Sequence, residues 1–330
     1  MFNRRYFLGA AAMAVASAQL GAAEPAHAAS ATRTSFPSRK QIDAGPLNIG
    51  YAESGPADGP AVVLLHGWPY DIHSYVDVAP LLASHGYRVI VPYLRGYGST
   101  RFLSSETFRN AQQSAVALDV LNLMDALEIK KAILGGFDWG SRTVDIVAAL
   151  WPERVKGLVS VSGYLLTTPQ AQQQPLPPKA ELGWWYQYYF STERGVLGYT
   201  QNTDDFNLLI WQTVSPKWNF DRATYERTAQ AFKNPDHVAI VIHDYRWRLG
   251  LAKGESKYDA LERKIAALPV ISVPTITIAS DFDGANASGT AYRAKFSGKY
   301  DHRILTGIGH NVPQEAPAAF SQAVIDVDAL

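Results

Sequence analysis

Asp138 stands in Gly136-Phe137-Asp138-Trp139-Gly140, directly after the short apolar run Ala132-Ile133-Leu134. Glycines two residues to either side suit a tight strand-to-helix turn that exposes its central side chain, with aspartate where serine is usual. A helix starting near Trp139 would keep the carboxylate ionised, and the Trp139 N–H could stabilise developing oxygen charge. An aspartate nucleophile suits attack on an electrophilic carbon and forms an alkyl ester, which an activated water must then cleave. His310, in Gly307-Ile308-Gly309-His310-Asn311, is the candidate base for that water. Asp283 or Asp281, in Ser280-Asp281-Phe282-Asp283-Gly284, could accept the His310 N–H and fix its tautomer, with Asp283 preferred. His66-Gly67-Trp68-Pro69 closes an earlier apolar run and offers the Trp68 N–H as a second oxyanion donor, with His66 itself structural. Asp138 as a plain helix cap is the competing reading, which the strand before it and the other motifs weigh against.

These residues need strand ends to hold them. Ala61–Leu65, Tyr87–Val91, Ala132–Gly136 and Gly157–Ser162 are short buried-strand patterns. Helical patterns run over Tyr75–Ala83 and Glu106–Leu127, and another begins near Trp139. The alternation predicts an α/β fold with a mostly parallel sheet covered on both faces. Thr167–Lys179 reads as a Gln/Pro-rich connection, and Lys179–Lys264 as helical and aromatic, with Trp184, Trp185, Trp211, Trp218 and Trp247. Strands resume at Val273–Ala279 and His302–Leu305, and a helix closes the chain from Ala316. Residues 40–163 and 268–330 are thus expected to form the core, with 164–267 inserted as a helical cap over the carboxyl ends of the strands.

The 330 residues include no cysteine, which excludes disulfides, thiolate metal sites and a cysteine nucleophile. Thirty basic residues balance thirty acidic ones, which argues against bulk electrostatic binding of nucleic acid. Arg4-Arg5-Tyr6-Phe7-Leu8, followed by an alanine-rich run to about Ala18 and by Ala26-His27-Ala28, resembles a twin-arginine signal over residues 1–28. Residues 29–39 then read as a flexible leader, and the expected destination is the periplasm or the exterior, with no stable membrane insertion after signal removal. The number of copies is left open, and a homo-oligomer is compatible with the sequence.

His66-Gly67-Trp68-Pro69, Leu94-Arg95-Gly96-Tyr97-Gly98-Ser99, Gly136-Phe137-Asp138-Trp139-Gly140 and Gly309-His310-Asn311-Val312-Pro313-Gln314-Glu315 together resemble the α/β-hydrolases of the epoxide hydrolase and haloalkane dehalogenase group. The likeness extends over essentially everything after Lys40. Tyr93 departs from it, standing where an acidic residue often precedes Leu-Arg-Gly, and the spacing after Val273-Pro274-Thr275 favours Asp283. The resemblance implies an α/β-hydrolase fold and two cap tyrosines that donate to an epoxide oxygen, carried here by Tyr186 in Tyr186-Gln187-Tyr188-Tyr189-Phe190 and by Tyr245 in Asp244-Tyr245-Arg246. It implies conversion of an apolar or aromatic epoxide and water to a vicinal diol, without cofactor or metal. A haloalkane or haloacid dehalogenase using the same aspartate is the alternative, and a non-catalytic small-ligand-binding protein a more remote one. Haloalkane dehalogenases commonly carry asparagine where Trp68 stands. Arg142 matches one arginine of the haloacetate enzymes' carboxylate clamp, but Trp139 stands where the other is expected.

Overall fold

A computed structural model describes residues 35, 36 and 38–330. The expected signal and most of the leader lie outside the described residues. Arg39, placed in the leader by the sequence reading, already opens the first strand.

The strands are β1 (Arg39–Ala44), β2 (Leu47–Ser54), β3 (Ala61–Leu65), β4 (Arg88–Pro92), β5 (Arg101–Phe102), β6 (Ala132–Gly136), β7 (Val155–Val161), β8 (Thr275–Ser280) and β9 (Tyr300–Leu305). They form one sheet in the order β1-β2-β4-β3-β6-β7-β8-β9, with β5 pairing with β2. The β1–β2 and β2–β4 pairs are antiparallel, whereas every pairing from β4 and β3 through to β9 is parallel. A parallel strand needs a crossover, so helices must cover both faces and the central strands must be apolar throughout. All five residues of β6 are buried, as are four of five in β3. Full burial of each such Val, Ile or Leu contributes about 1.5–3 kcal/mol.

The core helices are α1 (Val78–Ser84), α2 (Gln113–Ala126) and α3 (Trp139–Leu150). α2 begins later than the apolar pattern suggests. Asn110 Oδ1 accepts the Gln112 N–H at 2.6 Å, a local side-chain bond that competes with the helix before Gln113. The chain then leaves the core at Leu165. Two residues of α3 hold that exit: the Arg142 guanidinium donates to the Leu165 carbonyl at 3.1 Å, and Asp145 Oδ2 accepts the Leu165 N–H at 2.8 Å.

The cap consists of α4 (Pro169–Gln172), α5 (Pro178–Gly183), α6 (Trp185–Phe190), α7 (Glu193–Gln201), α8 (Thr203–Val214), α9 (Arg222–Ala229), α10 (His237–Arg248) and α11 (Asp259–Ala266). The connection expected at Thr167–Lys179 therefore contains one short helix and the start of another. After β8 and β9, α12 (Val312–Glu315) and α13 (Pro317–Ala329) complete the core. The buried side chains of core and cap form a continuous cluster, in which Phe190, Tyr199, Trp211 and Ile240 of the cap join Trp68, Tyr70 and Tyr97 of the core.

Candidate active site

Asp138 occupies the junction of β6 and α3 with φ 56° and ψ −125°, a conformation costing roughly 1–3 kcal/mol for a non-glycine residue. The turn tolerates this because its neighbours lack side chains. A Cβ on Gly140 would lie 1.9 Å from the Leu65 carbonyl oxygen, and one on Gly67 would lie 2.3 Å from Asp138 Oδ1. Glycine at both positions lets the β3 and β6 ends close around the carboxylate.

The two carboxylate oxygens of Asp138 have different surroundings. Oδ1 accepts the Trp68 backbone N–H at 2.8 Å, while Oδ2 lies 3.3 Å from His310 Nε2. Burial raises the pKa of the carboxyl, but the His310 hydrogen bond and charge, with help from the Trp139 and Trp68 N–H groups, outweigh it and hold the value below the usual carboxylate range. Asp138 is therefore ionised at neutral pH, as a nucleophile must be. His66 is structural, as expected: Nε2 accepts the Leu94 N–H at 3.2 Å, and burial pushes its pKa down to about 4.

Neither candidate for the orienting aspartate hydrogen-bonds His310 in this structure. His310 Nδ1 is buried and hydrogen-bonds to nothing among the described residues. Asp281 instead binds Lys217 at 2.7 Å at the surface. Asp283 folds back to accept the Ser280 N–H at 2.8 Å, completing a capping box. Phe282, between them, packs on the imidazole with ring centroids 4.2 Å apart. The turn's own capping box holds Asp283, and an ion pair with the distant Lys217 holds Asp281.

What holds the histidine loop is Glu315, a residue quoted in the motif but given no role from sequence. Its carboxylate accepts the Gly309 N–H at 2.7 Å, the Asn311 N–H at 3.0 Å and the Ser215 hydroxyl at 2.7 Å. Ser215, at the end of cap helix α8, in turn accepts the His310 N–H at 2.9 Å. Charge-assisted bonds of this kind are stronger than neutral ones and bracket His310 on both sides. A carboxylate five residues beyond the histidine was the available signal.

Tyr186 and Tyr245 come together near enough to Asp138 to feel its charge. Both are buried, their rings cross at 80° with centroids 5.4 Å apart, and both pack on Trp68 at 4.9 and 5.3 Å. Burial, reinforced by the charge of Asp138 and, for Tyr245, by the neighbouring Tyr186, pushes both phenols above their ordinary pKa, although a hydrogen bond from Tyr245 works the other way on Tyr186, so they stay protonated donors. Arg142 is held at Leu165. Burial and the like charge of Arg248 lower its pKa to about 10, and it stands among Asp244, Asp138 and Tyr245. Asp244, pushed up to about 6 by burial, lies 3.7 Å from Arg248. Among the described residues, no group of three or more His, Asp and Glu side chains is arranged to hold a metal.

The fold and sequence match known proteins. A family model described as the alpha/beta hydrolase fold matches residues 60–198. The solved structure of a candidate epoxide hydrolase from Klebsiella pneumoniae superposes with a TM-score of 0.88 at 62% identity, covering 89% of this chain and 98% of that one. Epoxide hydrolase A of Mycobacterium tuberculosis is 26% identical over 317 residues, 88% of this chain and 97% of that protein. A fluoroacetate dehalogenase from Burkholderia is 37% identical over 121 residues, 36% of this chain and 39% of that protein. With an aspartate at the β6–α3 turn, a histidine loop after the last strand and an inserted set of helices, the chain belongs to the α/β-hydrolase fold family.

Proposed function

We propose that the protein is an epoxide hydrolase acting on apolar or aromatic epoxides. The observation that carries this reading is the pair of buried phenols, Tyr186 and Tyr245, in contact with each other and within the field of an ionised aspartate. Asp138 Oδ2 attacks one ring carbon because Oδ1 is already committed to the Trp68 N–H. The C–O bond of the epoxide breaks as the new C–O bond to Asp138 forms, and the leaving oxygen takes a proton from a tyrosine. Oδ1 is then the carbonyl oxygen of the ester. Water deprotonated by His310 adds to the ester carbon, and the N–H groups of Trp68 and Trp139 receive the oxyanion. Collapse expels the second diol oxygen, which takes the proton held by His310, and the carboxyl proton left on Asp138 returns to the tyrosine, restoring the carboxylate, so the sum is epoxide plus water.

The names of relatives over most of the chain support epoxide opening, and the aromatic rings around Trp68 support an apolar substrate. The dehalogenase reading draws on the shared aspartate and the Burkholderia relative. It lacks the second arginine of a carboxylate clamp, since Trp139 follows the nucleophile, and Arg142 is bonded to the main chain.

The experiment is a panel of epoxides, haloalkanes and haloacids assayed for diol and halide, with two variants. Asp138→Asn, kept free of deamidation, should lower turnover by on the order of 10⁴-fold or more. His310→Gln should accumulate the ester, seen as a rise in intact mass equal to that of the epoxide. Halide release without epoxide opening, or full turnover by Asp138→Asn, would sink the proposal.

A further inference from the structure

Trp68 contributes more to the fold than its backbone N–H. Its indole Nε1–H donates to the Tyr199 hydroxyl of α7 at 2.9 Å. That hydroxyl lies 2.9 Å from His237 Nε2 of α10 and 3.1 Å from the Asn207 side-chain amide of α8. His237 Nδ1 lies 3.0 Å from the Gly96 carbonyl of the core. Tyr199, Asn207 and His237 are fully buried, and Trp68 is 2% exposed.

The proton positions follow from counting donors. Gly96 O can only accept, so His237 carries its proton on Nδ1, and Nε2 must accept. Burial pushes the His237 pKa down to about 3, so the ring stays neutral and the pattern stays fixed over any working pH. The single Tyr199 proton therefore goes to His237, and the phenol oxygen accepts from Trp68. Asn207 cannot receive a second proton from Tyr199, and its Nδ2 is buried without a partner among the described residues. Turning that amide over lets Nδ2–H donate to the remaining lone pair, and the Tyr199 hydroxyl is then saturated with three bonds. The donor chain runs one way, from Trp68 through Tyr199 and His237 to Gly96.

We propose that Tyr199 is a positioning residue for the reaction: it pins the Trp68 ring from the cap, and thereby aims the Trp68 backbone N–H at Asp138 Oδ1. This rests on the epoxide hydrolase reading. The step affected is the one that needs the oxyanion donor most, hydrolysis of the ester. Ring opening depends instead on Tyr186, Tyr245 and Asp138 Oδ2, and is affected less.

The test separates the two steps by rapid-mixing kinetics, following ester formation and decay with a turned-over epoxide. Tyr199→Phe keeps the ring packing against Phe190 and Phe206 but removes the hydroxyl. Ester decay should slow roughly 10-fold, less than the loss on deleting an oxyanion donor outright, so the ester accumulates in the steady state. Trp68→Phe, which keeps the backbone N–H and removes the indole donor, should shift the same ratio. The double variant should be no worse than the more impaired single variant, because one interaction is removed twice. An unchanged ratio of the two steps in Tyr199→Phe overturns the proposal, as does a uniform loss of both that tracks a lower melting temperature. Should Tyr199→Phe not fold, Trp68→Phe decides by the same ratio. A wild-type protein that forms no ester with any epoxide overturns the parent reading as well, whereas a normal ratio in active variants overturns only the coupling.

Discussion

Asp138 and His310 face each other at 3.3 Å, yet the imidazole has no acid behind it. A neutral histidine without a partner on Nδ1 can adopt either tautomer, and the wrong one cannot take a proton from water through Nε2. Asp281 and Asp283 are separable by what each already does. Asp281 is exposed and paired with Lys217, a contact of the surface type that contributes little. Asp283 is held by a single backbone N–H at Ser280, from which the carboxylate can be released when the imidazole gains charge during water activation. Asp283→Asn should therefore slow ester hydrolysis by on the order of 10²-fold or more, while Asp281→Asn should leave it within about 2-fold. Single-turnover decay of the preformed ester measures both. Equal, small effects would mean that His310 works without an orienting carboxylate.

At the scale of elements, the histidine loop depends on a helix that the sequence places in a different domain. Glu315 at the end of α12 ties Gly309, Asn311 and Ser215 together, and Ser215 ends α8. Glu315→Gln removes the charge and one acceptor, so at least one of those bonds is lost or reversed. The expected result is a fall in kcat of roughly 10-fold with KM little changed, since the loop places a base and touches no ground-state substrate. A KM effect with unchanged kcat would refute this role. The same contrast explains what sequence could convey. Asp138 and His310 are legible because glycines crowd around each within a few residues, and the strands because β3 and β6 are uniformly apolar. Tyr186 and Tyr245 are legible only by resemblance, since a tyrosine in an aromatic cap has no distinguishing spacing. Tyr199 and Ser215 are illegible: their partners Trp68 and His310 are remote in the chain, and a single hydroxyl leaves no periodic pattern. The late start of α2 was missed because one Asn110 side-chain bond outweighed an apolar repeat.

For the whole molecule, buried titratable groups set opposite slopes of stability with pH. Burial holds His66 at about 4 and His237 at about 3, below the ordinary 6.5. The unfolded chain binds protons first, so their contribution is complete above about pH 6.5 and is lost as pH falls towards 4 and 3. Burial raises Asp145 from 3.8 to about 8, outweighing the Leu165 N–H, the Ser160 hydroxyl and the Arg142 charge, which favour the carboxylate. Here the folded state holds the extra proton, so stability is complete below pH 3.8 and declines up to about pH 8. Asp145→Asn, which mimics the neutral acid, should flatten the fall in melting temperature between pH 6 and 8.5 and leave the acid-side loss intact. Parallel melting curves for wild type and variant over that range would contradict it. Finally, the bond from the His310 N–H to Ser215 means that the lid and the hydrolytic base share one fastening. Exchanging the lid for that of a relative, to redirect substrate choice, would thus also reset how fast the ester is cleaved. A chimera lacking a hydroxyl at position 215 would bind new epoxides and be slow to let go of them as diols.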